Sequence, residues 1–393
     1  GEIDSYRALE ALYAQEERWD DLALTIEHRI DIGPSDDELA TLKFQLASVL
    51  HAHLDDKARA IELYREVLTL APDHDGALLA LESLLGDEEL GGQAAAIASE
   101  LYEGRADYAK LVTALEVLLK FTEDPEQRID LITKIGEVRA DKLGDGTGAL
   151  AAYARAFDEE PDNLGILARF EMLAKEQKSL AEMVRVIEAR AAKVEDPSLQ
   201  RTLWLKAARL HEGELGQVDS AVAAYMKALE RDESDVEILE SLEALYRRTE
   251  RWRDLLDVLR RRVGVTADAS EQEQLLAQMA FIHDEMLGEP DAAIRTYAEI
   301  LELDPSSRTA LAALDSLYER QNMWSELADN VSRQLVLAED DAQQIALMQK
   351  LGLLRETRMN APEAAIEIYR EILERDSSHA EALEALERLL ARP

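Results

Sequence analysis

Gly144-Asp145-Gly146-Thr147-Gly148 has the residue types of a loop that cradles phosphate, and helix-forming sequence follows it. Such a site needs backbone N–H groups aimed from a glycine-rich turn at the start of a helix, and a dinucleotide site also needs a strand before the turn. No strand pattern precedes Gly144. The stretch aligns instead with Gly216-Gln217-Val218-Asp219 and Gly288-Glu289-Pro290-Asp291, so it reads as one of a series of turns between helices. Histidine is the next candidate. His51 and His53 form the closest pair among seven, but alternate residues on a helix point apart, and a metal there would need ligands from elsewhere. His211 and His283 share a position in the pattern described below, as do His74 and His379, which makes them structural or capping residues. With 82 acidic side chains, carboxylate spacing carries no information about acid–base catalysis. No Gly-Lys-Ser/Thr motif, HExxH motif or activated serine occurs. No enzyme activity, cofactor or metal is expected.

Charge limits the partners. The 44 basic side chains leave a formal charge of −38, which repels phosphate backbones and anionic lipid. Nucleic acid and membrane headgroups are therefore poor partners, and a basic or neutral protein segment is the expected one for most of the surface. One stretch departs from this. Seven arginines between Arg247 and Arg262, namely Arg247, Arg248, Arg251, Arg253, Arg260, Arg261 and Arg262, face only Glu250, Asp254 and Asp257 within it, a local excess of +4. Two roles fit them: neutralising acidic neighbours across a stack, or docking an acidic or phosphorylated peptide through guanidinium forks. The chain has no cysteine, which excludes disulfides and thiolate chemistry. No apolar run approaches the roughly 18 residues of a membrane span, so membrane insertion is not expected and the cytoplasm is favoured.

The elements that position these residues follow from a repeat. The pairs Trp19 and Tyr64, Tyr108 and Tyr153, Leu180 and Tyr225, Trp252 and Tyr297, and Trp324 and Tyr369 are each 45 residues apart. Successive pairs step by 89, 72, 72 and 72, a period of 72 with one insertion of 17. Four residues before each tyrosine stands Ala60, Ala149, Ala221, Ala293 or Ala365, and seventeen before it Ala47, Gly136, Ala208, Ala280 or Gly352. Small residues at fixed points let two helices approach closely, with the tyrosine ring filling the space beyond. Turn chemistry separates them: Leu54, Leu143, Leu215, Leu287 and Met359 end one helix, and Asp219, Asp291 and Pro362 sit where the N-caps and first-turn prolines of the next belong. Pro72, Pro161 and Pro305 end the second helix; Asp73, Asp162, Ser234, Ser306 and Ser378 are placed to cap a third. After the tryptophan, a fourth helix buries residues such as Leu255 and Leu259, and each tryptophan is expected to be substantially buried between hairpins. Each period is two helical hairpins.

The spacing of Ala280, Ala293, Tyr297 and Pro305 resembles the helix-turn-helix of the tetratricopeptide repeat family, and the period looks like two such hairpins with slightly long turns. The first hairpin departs from the family pattern, carrying a large residue such as Leu255 or Leu327 where the small one belongs. The resemblance implies an all-α, right-handed α-solenoid of about ten hairpins forming a single repeat domain over 1–393. Its repeats lie around 1–76, 77–165 with an insertion at 86–102, 166–237, 238–309 and 310–381, followed by a terminal helix at 379–390. It further implies a non-catalytic scaffold that holds a peptide or helix in a concave groove lined by first helices. Carried over, the groove positions are Glu137, Arg209, Glu212, Phe281, Asp284 and Glu356, with Lys175, Arg247 and Arg248 in the other hairpins and Arg251 beside them. The family's Lys, Asn and Arg clamp for C-terminal carboxylates is missing, because Asn163, Asn322, Asn330 and Asn360 fall elsewhere. The alternative is an accessory or regulatory region of a larger protein.

In the insertion, Gly86-Asp87-Glu88-Glu89-Leu90-Gly91-Gly92 predicts a break before helix resumes at Ala94, giving an extra short helix or a split one. The last helix still carries an apolar stripe at Leu383, Leu386 and Leu390. A solenoid end needs a polar outer face, so the stripe predicts a longer array ending artificially at Arg392-Pro393, or coverage of this helix by a second copy of the protein or a partner.

Overall fold

The computed structural model describes residues 2–391, and these form 22 α-helices with no strand among them. The chain divides into two compact units, Gly1–Leu199 and Gln200–Pro393. The first contains α1 (Glu2–Gln15), α2 (Trp19–Asp31), α3 (Asp36–Ala52), α4 (Lys57–Leu70), α5 (Asp75–Leu84), α6 (Gly91–Gly104), α7 (Tyr108–Phe121), α8 (Pro125–Glu137), α9 (Gly146–Glu159), α10 (Leu164–Glu176) and α11 (Leu180–Ala191). The second is built from α12 (Pro197–Arg209), α13 (Val218–Leu229), α14 (Val236–Arg248), α15 (Trp252–Val265), α16 (Ala269–Phe281), α17 (Pro290–Leu303), α18 (Arg308–Gln321), α19 (Trp324–Leu337), α20 (Asp341–Thr357), α21 (Pro362–Arg375) and α22 (Ala380–Leu390). Within each unit consecutive helices pack as hairpins, giving the all-α solenoid architecture. No helix of the described residues is long and apolar enough to cross a membrane.

The turns repeat as strictly as the helices. Residues in the left-handed region recur at Asp55, Gly144, Gly216, Gly288 and Asn360, and again at Glu17, Ala106, Lys178, Glu250 and Asn322. Both series keep the 89, 72, 72, 72 step. At each of the first series the chain closes the preceding helix with long-span bonds: the Leu215 N–H donates to the Leu210 carbonyl and the Gln217 N–H to the His211 carbonyl, as Leu54 and Asp56 do to Val49 and Leu50. These bonds satisfy the last carbonyls of the helix while a left-handed residue reverses the chain. In three repeats that last turn is wound as π-helix, at Val138–Lys142, Leu210–Glu214 and Ile282–Met286.

The small residues make the close approach the sequence requires. Ala47, Ala60, Ala208, Ala221, Ala280 and Ala293 are fully buried. A Cβ added at Gly136 would stand 2.7 Å from the Tyr153 ring, and one at Gly352 2.8 Å from Tyr369.

Several expectations are corrected. The third-helix caps lie one residue later than the sequence placed them: His74, Asn163, Asp235, Ser307 and His379 accept the first-turn N–H bonds. Asp219 and Asp291 lie inside the first turn of their helices; where a carboxylate does cap the tyrosine helix it is Asp56 or Asp145. The insertion adds a full helix. Gly91 and Gly92 open α6 instead of breaking a helix, and their missing side chains admit the Phe121 side chain, which an added Cβ would meet at 3.0 and 2.8 Å. Trp19, Trp252 and Trp324 are half-buried, and each is the first residue of its helix. At the last helix, Leu386 is buried against Tyr369 and Ile372 in one apolar cluster, whereas Leu383 and Leu390 are exposed; Arg392-Pro393 lies outside the described residues.

Candidate functional site

In each tyrosine hairpin one residue follows the packed Ala or Gly directly. These residues are Ser48, Glu137, Arg209, Phe281 and Leu353; the last four are exposed and Ser48 is half-buried. Three places on come His51, Ala140, Glu212, Asp284 and Glu356. Glu212 accepts from the Tyr225 hydroxyl at 2.9 Å and from Arg248 at 3.0 Å, and burial together with that carboxylate pushes the phenol up to about 12. Tyr369 is likewise pushed up to about 12, by burial and then by Glu356. Asp284 pairs with Arg320 at 3.0 Å.

The cationic candidates are held by carboxylates of the stack. Lys175 pairs with Glu171 at 3.0 Å and Arg209 with Glu237 at 2.6 Å. Arg247 donates to Glu243 and Gln278, both at 2.8 Å. Arg251 bonds Asp254 at 2.8 Å and Asp219 at 2.9 Å, with its guanidinium carbon 5.2 Å from the Tyr246 ring centroid. Arg253 reaches Glu289 at 3.1 Å, and Arg260 pairs with Glu299. Arg262 is largely buried among Glu240, Glu243 and Glu271. It is the counterpart of Arg29, which lies between Glu10 and Glu38 in the first repeat. Most of these acids sit 19 to 39 residues from their arginine, which is why a count within the Arg247–Arg262 stretch shows an excess.

Two of the candidates meet. Arg247 and Phe281 line an open cleft of about 480 Å³ together with Trp252, Ala277, Gln278, Ile282, Met286 and Tyr297. Arg209, Arg248, Arg251 and Asp284 lie outside its lining, and Lys175 belongs to the other compact unit. Trp252, Met286 and Tyr297 were not assigned a binding role from sequence, although one signal was present. Thirty-four residues after the helix-opening marker stand His53, Lys142, Glu214, Met286 and Arg358. His53 stacks on Trp19 with ring centroids 3.6 Å apart, Lys142 Nζ is 5.7 Å from the Tyr108 centroid, and the Arg358 guanidinium carbon is 4.8 Å from that of Trp324. The fourth repeat has an uncharged, flexible methionine in this place.

The four asparagines serve the framework: Asn163 caps α10, Asn322 and Asn360 take left-handed turns, and buried Asn330 donates to the Leu311 carbonyl and Asp315. His211 and His283 bond Gln217 and Glu289 across the helix-ending turn, both at 3.0 Å. Among the described residues no three His, Cys, Asp or Glu side chains converge to hold a metal ion.

The family model described as tetratricopeptide repeat matches residues 40–74 and 202–235, the tyrosine hairpins of the first and third repeats. Over those two stretches the chain carries tetratricopeptide repeats. No curated protein matches it. Among solved structures, a tetratricopeptide repeat protein from Parabacteroides merdae is 17% identical over 67% of this chain and 99% of its own, with a TM-score of 0.27. MamA protein is 20% identical over 46% of this chain and 94% of its own, with a TM-score of 0.27. YrrB, described as a TPR protein with an unusual peptide-binding site, is 18% identical over 47% and 90%, with a TM-score of 0.26. Repeats of this kind support, in general terms, a protein–protein interaction scaffold.

Proposed function

We propose that the protein is a non-catalytic scaffold that holds a peptide or helix of a partner on the faces that the first helices of the tyrosine hairpins form within each compact unit. The observation that carries this is the contrast between two neighbouring positions. The packed position is always Ala or Gly, whereas the exposed position beside it runs through Ser48, Glu137, Arg209, Phe281 and Leu353. Residues that only solubilise a helix do not need Phe and Leu in solvent; an exposed position that changes character from repeat to repeat can read a partner's sequence. The ion pairs around Arg247–Arg262 support a framework role for most of the arginines there, and leave the apolar and singly engaged groups to make contact.

Affinity capture on the full chain, followed by substitution, tests the proposal. Changing Glu137, Arg209, Phe281 and Leu353 together should abolish capture of a specific partner, while changing the exposed second-helix residues Arg295 and Glu367 should leave it intact. Capture that ignores the first-helix changes would overturn the assignment.

A further inference from the structure

The scaffold reading does not say which residue type a partner presents; the fourth repeat answers that, and the answer rests on that reading. We propose that the cleft of Trp252, Phe281, Met286 and Tyr297 seats one large apolar side chain, of the Leu, Met or Phe class, from a basic peptide segment. Phe281 is 51% and Met286 43% exposed, both bordering a cleft whose other walls are mainly apolar. At about 480 Å³ the cleft falls within the roughly 300–1,000 Å³ of small-ligand pockets. The apolar character is local to this repeat. The residues corresponding to Phe281 and Met286 are Ser48 and His53, Glu137 and Lys142, Arg209 and Glu214, and Leu353 and Arg358, so every other pair includes a polar or charged group. In three of those repeats the charged or imidazole group covers the aromatic ring. Methionine in that place leaves a conformable apolar wall.

Arg247 supplies the polar group at the rim. One of its terminal nitrogens is committed to Glu243 and Gln278, and the rest of the guanidinium can donate to a main-chain carbonyl beside the inserted side chain. The basic flanks follow from charge complementarity with a chain of net charge −38. An acidic segment would have to compete with the carboxylates already paired to Arg248, Arg251, Arg253 and Arg262.

The probe is a random dodecapeptide library displayed on phage and selected against the full chain, with selected peptides resynthesised for fluorescence anisotropy. The expected consensus is a single Leu, Met or Phe flanked by Lys or Arg. Its affinity should fall at least tenfold on changing the anchor to Ala, and equally on Met286→Arg or Phe281→Glu. Met286→Arg copies Arg358 of the next repeat, so it is compatible with the fold, which circular dichroism verifies; Glu367→Gln on the second helix of the fifth repeat's tyrosine hairpin should leave affinity unchanged. Peptides that bind with full affinity to both cleft variants but are lost on Glu137 and Arg209 substitution would overturn the anchor site while leaving the scaffold reading standing. Selection of no peptide at all would count against both. Enrichment of acidic peptides that are lost on Arg248→Glu and Arg251→Glu would overturn the basic-partner assignment in favour of the arginines.

Discussion

Arg358 stands over the indole of Trp324, its guanidinium carbon 4.8 Å from the ring centroid, where His53 lies flat on Trp19 in the first repeat. The ring that opens the fourth helix of a repeat is thus completed by a residue from the following hairpin. The half-burial of these rings sets their energetic weight. Trp252→Ala should cost about 2 kcal/mol, below the ~3–5 kcal/mol of a core tryptophan, and less than Leu255→Ala, whose side chain has no exposure. Denaturant melts of the two variants, compared at the first transition, check the order; equal or reversed costs would show the indole to be a core residue after all.

Left-handed turns hold an opportunity for stabilisation. Ala106 has φ 57° and is exposed, at the position where strain on an L-residue is about 1–2 kcal/mol. Ala106→Gly should relieve more than it loses in unfolded-chain entropy, a net gain of ~0.5–1 kcal/mol, whereas Gly288→Ala at φ 65° should lose about 1 kcal/mol. Chemical denaturation read at equal m-value measures both signs.

Arg262 and its counterpart Arg29 each hold a largely buried carboxylate, Glu243 and Glu10. Arg262→Met leaves Glu243 without this partner and should cost about 3 kcal/mol, while the double change with Glu243→Leu should recover most of the loss. A double-mutant cycle by urea unfolding would refute this by showing additivity.

The insertion should respond to acid. Asp87 accepts from the N–H groups of Glu89 and Leu90 and pairs with Lys57 at 2.9 Å; chiefly through Lys57, its carboxyl is lowered to about 2. A folded-state pKa below the unfolded one contributes stability that is complete above about 3.9 and is lost as pH falls through about 2. Hydrogen exchange at the start of α6 should therefore accelerate across that window, and Asp87→Asn should remove the pH dependence. An identical acid limb in the variant would assign it to another carboxylate.

The sequence by itself determined the repeat and the hairpins. A period of 72, an Ala or Gly seventeen residues before each tyrosine and an Ala four before it specify helix-to-helix contacts that depend only on which face of a 3.6-residue turn a side chain occupies. Prolines after the second helix and the turn residues before it are equally local, so helix ends were legible to within a residue or two.

Tertiary structure decided what lies across hairpins. His74, rather than Asp73, caps α5 because the cap must have extended backbone torsions at that step of the chain path, which residue type alone does not fix. Arg251 finds Asp219 thirty-two residues away, and Arg260 finds Glu299 thirty-nine away, because stacking brings successive hairpins side by side; separation in sequence hides the neutralisation. The cleft was half visible for the same reason. Phe281 and Arg247 could be placed on exposed faces from helical phase, but their convergence with Trp252, Met286 and Tyr297 required four elements to pack around one space, and packing is a property of neighbours that a single chain position does not encode.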